Sequence, residues 1–237
     1  SQICLLLTAL CILTSCGGPS ERIKDIEAQK TPAPTATPTE REISGVFNVS
    51  GTAANDTAPY NGVLTVAPSG DVYEFRWALN KGTFAGTGVQ LGNVTAVSFA
   101  RVGGGKGCGV ALYKIASDGS MEGRVAFWGE GKYGTEKATR VEGGNFPGKY
   151  NITGRSIDGK DYSGDLAIKK DGAGYDFEWT DKPQVGFGIW KGSYAAVSFG
   201  GRQCSFALYD ITSNGNLDGN WGGQKSVTFG KETAKRQ

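Results

Sequence analysis

Tyr73-Glu-Phe-Arg-Trp77 and Tyr175-Asp-Phe-Glu-Trp179 are two copies of one pattern, 102 residues apart. In each, aromatic and charged residues alternate, so an extended backbone places the Tyr, Phe and Trp on one face and the charges on the other. That is the period of a strand with one buried side. The copies belong to a longer duplication. Tyr60-Asn-Gly62 returns as Tyr162-Ser-Gly164 at the same offset, and Ala96-Val-Ser-Phe99 returns as Ala196-Val-Ser-Phe199 at an offset of 100. Cys108, Ala111-Leu-Tyr113 and Gly134-Thr-Glu136 return as Cys204, Ala207-Leu-Tyr209 and Gly230-Lys-Glu232 at an offset of 96. The drift falls in turns, so the body divides into repeat 1, residues 43–143, and repeat 2, residues 144–237.

Alternation also runs through Leu64 and Val66, Leu166 and Ile168, Val97 and Phe99, and Val197 and Phe199, with hairpin-turn chemistry at Ser69-Gly70, Ser117-Asp-Gly119, Asp158-Gly159 and Ser213-Asn-Gly215. No segment holds a helical period. In repeat 2 the pattern predicts eight strands, near 147–153, 161–169, 174–180, 184–190, 193–199, 204–211, 216–221 and 226–233. A flat meander of that size would expose two edges and one apolar face, whereas closure removes both. The fold class expected is therefore all-β, two tandem small antiparallel meander β-barrels of about eight short strands each. A two-sheet sandwich is the alternative.

Composition narrows the function. The 25 Lys and Arg balance 23 Asp and Glu, which argues against an electrostatic nucleic-acid binder. There is no histidine, so His-based triads, general bases and metal sites are excluded. Glycine fills 38 of 237 positions, well above the usual share of about 7%, as many tight turns require.

Ile3 to Leu13 is an uninterrupted apolar run of signal-peptide length, too short to span a bilayer. No basic residue precedes it, so residues 1–15 read as a signal peptide lacking its start. Residues 16–42 carry Cys16 and the Thr31-Pro-Ala-Pro-Thr-Ala-Thr-Pro-Thr39 stretch, whose composition makes a tether rather than a core.

The chemistry-bearing candidates are few. Tyr73, Trp77, Tyr175 and Trp179 form either a ring-binding platform or core aromatics that plug a barrel end. Cys108 and Cys204 each open a strand; equivalent residues of two separate barrels need not meet, so two buried thiols are expected and a disulfide is the alternative. Glu136 and Glu232 recur in Gly-x-Glu-x-Ala-x-Arg with Arg140 and Arg236, read as a solvated last strand. Gly103-Gly-Gly-Lys-Gly107 lacks the frame of a phosphate loop and reads as a hairpin tip. No acid, base and nucleophile recur together, so the expectation is a non-enzyme without a cofactor.

Leu13-Thr14-Ser15-Cys16-Gly17 resembles the lipobox of bacterial lipoproteins. The resemblance implies lipidation of Cys16, membrane anchoring through the lipid, and a place in the cell envelope, at the outer membrane or cell surface. The repeat, written Tyr-x-Gly, Tyr-x-Phe-x-Trp, Val-Ser-Phe, Cys-x-x-Ala-Leu-Tyr and Gly-x-Glu, is similar to one in a poorly characterised family of bacterial exported proteins and lipoproteins, some labelled fibronectin-binding. It implies a macromolecular partner, an extracellular-matrix protein such as fibronectin, and an adhesin-like role, but carries over no site residue. Within the last hairpin the repeats differ, Phe127-Trp128 standing in one and Trp221 earlier in the other. A small-ligand carrier of the avidin or lipocalin type, with the four aromatics lining a cup, is the alternative function, and a structural envelope component a third.

Overall fold

The computed structural model describes residues 40–144, 146–180 and 184–237. The leader, Cys16 and the tether up to residue 39 lie outside the described residues. The rest is all-β, in sixteen strands: β1 (Gly45–Thr52), β2 (Pro59–Ser69), β3 (Val72–Leu79), β4 (Gly82–Leu91), β5 (Val94–Arg101), β6 (Gly109–Ile115), β7 (Met121–Phe127), β8 (Tyr133–Glu142), β9 (Gly148–Arg155), β10 (Asp161–Asp171), β11 (Gly174–Trp179), β12 (Gln184–Lys191), β13 (Tyr194–Phe199), β14 (Ser205–Ile211), β15 (Leu217–Gly222) and β16 (Gly230–Arg236). They close into two antiparallel barrels of eight strands.

The barrels are not the two repeats. Barrel A is ordered β1-β16-β15-β14-β5-β4-β3-β2 and barrel B β10-β11-β12-β13-β6-β7-β8-β9, so each takes five strands from one repeat and three from the other. At the point where a simple meander would fold β5 back onto β6, β5 instead pairs with β14, Val97 opposite Ala207. Likewise β13 pairs with β6, Val197 opposite Ala111. The expected division into barrels at residues 43–143 and 144–237 is therefore corrected: the repeats exchange their last three strands. Gly103 to Gly107 is part of one crossover and Gly200-Gly201 of the other, so the glycine run is a link between barrels rather than a hairpin tip.

Equivalent residues meet across the junction. Ser98 and Ser198 share a hydrogen bond of 2.6 Å between their hydroxyls. Cys108 and Cys204 form a disulfide with Cα atoms 5.8 Å apart, in place of the two buried thiols expected. Self-matching contacts of this kind define a two-fold relation, as in an isologous dimer interface. Separate barrels would have no reason to bring these cysteines together; exchange runs both crossovers past one axis.

Three cores result. Barrel A is filled by Phe47, Leu64, Phe75, Val97 and Tyr209, barrel B by Tyr150, Leu166, Phe177, Val197 and Tyr113. The third core lies between the barrels and packs Val89, Ala96, Val110, Leu112, Ile189, Ala196, Phe206 and Leu208 around the disulfide. Strands β5, β6, β13 and β14 are consequently buried on both faces.

One end of each barrel is plugged. Ile43 and Phe146, just ahead of β1 and β9, are fully buried under their barrels. Arg236 donates to the carbonyls of Ser44 (2.6 Å) and Glu42 (3.3 Å) and stands over the Phe47 ring. Arg140 likewise donates to the Gly144 carbonyl and stands over Tyr150, whose hydroxyl donates to the Phe146 carbonyl. These arginines fasten the plugs.

The disulfide closes a separation of 96 residues. Replacing both cysteines by serine is expected to cost about 2–4 kcal/mol through the freed unfolded chain. Urea unfolding of oxidised wild type and the double variant would measure it, and coincident curves would refute a stabilising role.

Candidate functional site

Glu136 and Glu232 sit inside the barrels, not on a solvated strand, and each is only 5% exposed. The reason is a row of five residues in direct cross-strand register. In barrel A the row is Tyr209, Gly219, Glu232, Gly51, Tyr60. In barrel B it is Tyr113, Gly123, Glu136, Gly154, Tyr162. A glycine on each side of the carboxylate leaves room for the tyrosine beyond it to lie along the wall. A Cβ at Gly51 would stand 2.5 Å from the Tyr60 ring, one at Gly219 2.4 Å from that of Tyr209, and one at Gly154 2.3 Å from that of Tyr162. These glycines serve close approach, not turns.

The phenols then reach the carboxylate. Tyr60 and Tyr209 each donate to Glu232 at 2.7 Å, and the Trp77 indole N–H adds a third bond at 2.9 Å. In barrel B, Tyr113 and Tyr162 donate to Glu136 at 2.6 and 2.8 Å, while the Trp179 indole nitrogen stands 3.5 Å off. Burial pushes both carboxyls above their ordinary pKa, opposed by these hydrogen bonds. The phenols are pushed up, by burial first and by the neighbouring carboxylate next, so they stay protonated donors.

Arg140 and Arg236 do not pair with these glutamates. Four residues along a strand is about 13 Å, so each Arg reaches the plugged end while its Glu stays near the other.

Each carboxylate floors a small cup. In barrel A the cup is about 140 Å³, walled by Trp77, Phe84, Phe99, Trp221 and Leu79. In barrel B it is about 180 Å³, walled by Trp179, Val125, Phe127, Ile152 and Tyr162, with Arg155 and Asp165 also lining it. The linings differ at equivalent positions: Phe84 opposite Trp77 in barrel A is Gln184 opposite Trp179 in barrel B, and Phe127 of barrel B corresponds to Gly223. Trp221, packed edge-on against Tyr60 and Phe99, occupies in β15 the place that Val125 holds in β7.

The four aromatics singled out from sequence are not one group. Trp77 and Trp179 belong to the cups, Trp77 as a buried core aromatic and Trp179 partly buried against the core, and both indoles face the carboxylate. Tyr73 and Tyr175 lie at the other end of the stripe, with Phe75 or Phe177 between. Tyr175 packs on the Phe146 plug, ring centroids 5.1 Å apart, beneath the Lys170 ammonium. Sequence reading missed Tyr60, Tyr113, Tyr162 and Tyr209 as partners of the glutamates. The available signal was the recurrence of Gly-x-Glu together with glycines 51, 123, 154 and 219 at matching repeat positions.

On the outer wall of barrel B, Lys114, Glu122, Arg124, Lys137, Arg155 and Asp161 line an open groove of about 780 Å³. Its charges are largely paired, Lys137 with Glu122, Arg155 with Asp161 and Arg124 with Glu40. No family model, curated protein or solved structure matches the chain.

Glu232→Ala would strand three donors and is expected to cost roughly 3 kcal/mol or more, whereas Glu232→Gln keeps an acceptor and costs less. Because the folded pKa lies above the unfolded one, ionisable Glu232 favours folding most below its ordinary value, and that contribution is lost as pH rises through the folded value. Wild type should therefore lose stability relative to Glu232→Gln as pH rises from the ordinary carboxylate value through the raised folded one. Parallel urea-stability profiles would contradict the burial of this carboxylate.

Proposed function

We propose that the chain is a non-enzymatic, lipid-anchored envelope protein whose double barrel engages a macromolecular partner, in the manner of an adhesin. The observation that carries this reading is the filling of both interiors. A carrier of the avidin or lipocalin type needs a hollow barrel, and ligand sites commonly run to about 300–1,000 Å³. Here the aromatic stripes run through each barrel, and what is left is a cup of about 140 Å³ in one and about 180 Å³ in the other. Cups of that size suit a single inserted side chain better than a transported molecule.

The lipobox-like Cys16 and the Thr/Pro-rich segment support an anchored position, since a tether of that composition lets a folded head stand off a surface. The exchange of strands supports a rigid head. Contacts made by both barrels of one body would reinforce each other through effective concentration. The open charged groove adds surface of the kind an extracellular-matrix protein would cover.

The compact unit Pro38–Gln237 is the form to test. Immobilised fibronectin and other matrix proteins should bind it saturably, and the binding should persist at physiological salt, measured by surface plasmon resonance. Absence of binding to every matrix protein would remove the adhesin reading. Single repeats are not informative here, because neither contains all the strands of a barrel.

A further inference from the structure

The two cups descend from one pattern and are no longer alike. In barrel A, Trp221 takes up part of the space and Trp77 completes three hydrogen bonds to Glu232. In barrel B, valine replaces that tryptophan, the cup is larger, and the indole of Trp179 stands back from Glu136. A carboxylate offers about four acceptor positions, so Glu136, with two close phenol donors, retains capacity that faces the cup.

Two carboxylates, Glu136 and Asp165, and one guanidinium, Arg155, line the cup, so its formal charge is net negative. Glu136 has no cationic partner among the described residues; its bonds come from neutral phenols and an indole. The Arg155 guanidinium stands 3.5 Å from Asp161, a carboxylate outside the cup lining. Trp179, Phe127, Val125 and Ile152 supply aromatic and apolar wall, and Ser156, Ser163 and Gln184 add neutral polar groups.

We propose that the cup of barrel B binds an alkylammonium group, the chemistry of a lysine side chain, with Glu136 as counter-ion and the aromatic walls around the stem. The inference rests on the binding-module reading and names what a partner would insert. Aromatic faces attract an ammonium and grow more effective once water is excluded. A volume near 180 Å³ is sufficient, given that a cavity of about 150 Å³ holds a benzene-sized guest. A guanidinium fits less well, because its planar fork seeks both carboxylate oxygens together and each of these already accepts a phenol. A metal ion is disfavoured too, since no cluster of three metal-binding side chains occurs among the described residues.

The test uses the compact unit Pro38–Gln237, labelled with nitrogen-15, and follows the Trp179 indole N–H resonance. The probes are n-butylammonium chloride, an end-blocked Gly-Ser-Lys-Ser-Gly peptide, and the same peptide with norleucine in place of lysine. Both ammonium probes should shift the Trp179 resonance saturably, and the norleucine peptide should not. Glu136→Gln should weaken binding at least tenfold. Val125→Trp, which copies the residue barrel A carries, should abolish it while leaving the urea midpoint near wild type. A lysyl peptide that binds more than tenfold tighter than butylammonium identifies a macromolecular side chain as the source; equal affinities identify a free amine. No shift with either ammonium probe, or a shift unaltered by both substitutions, overturns the proposal. Matrix-protein binding measured on the same samples separates the two readings: matrix binding without an ammonium response sinks the cup alone, and the reverse sinks the adhesin role alone.

Discussion

Everything in this structure depends on the chain crossing to the other barrel after β5 and after β13 instead of folding back. A strand that leaves its own barrel must be replaced, and here the replacement is its counterpart from the other repeat. Neither half can close alone. The apolar layer between the barrels, the Ser98 to Ser198 hydrogen bond and the Cys108 to Cys204 disulfide all follow from two equivalent strands and two equivalent crossovers meeting at one axis. The arrangement is that of a strand-exchanged dimer whose two copies have been joined in a single chain.

The cups inherit this composite origin. Glu136 and Tyr113 come from repeat 1, yet the tyrosine and tryptophan that complete their site, Tyr162 and Trp179, come from repeat 2. Barrel A reverses the contributions. An uncompensated buried carboxylate is costly, and the phenol donors on either side make it tolerable. The glycines that admit those phenols explain part of the high glycine content, which serves close packing as well as turns. Duplication also allowed divergence: Trp221 narrows one cup at the place where Val125 stands in the other, so two cups of different size and lining share one frame.

Much of this was legible in the sequence, for reasons that separate cleanly. The alternation in Tyr73 to Trp77 and its copy, with turn residues at regular intervals, specified strands and their inward faces, and most strand limits of repeat 2 fall within two residues of their expected places. The last one differs, β16 beginning at Gly230 because the preceding loop packs against the β10 to β11 turn, where the Ser226 carbonyl accepts from Ala173. Strand exchange was not legible. The same strands, turns and inward faces satisfy both the simple and the exchanged meander, and only residues on the outer face discriminate. Ala96, Ser98 and Ala196, Ser198 are small and uncharged where a solvent-facing strand would carry charge, which was the available hint. Glu136 and Glu232 were misread for a related reason: an acidic residue on a terminal strand is usually solvated, and the donors that bury these two come from other strands, 23 to 172 residues away.

The most direct test of the exchange is the pattern of cross-strand backbone nuclear Overhauser effects from β5 in solution. The structure predicts contacts from residues 95–99 to residues 205–209, with Val97 opposite Ala207. Contacts from the same residues to 109–113 in their place would mean that β5 folds back on β6, and would contradict the shared barrels together with the composite cups built on them.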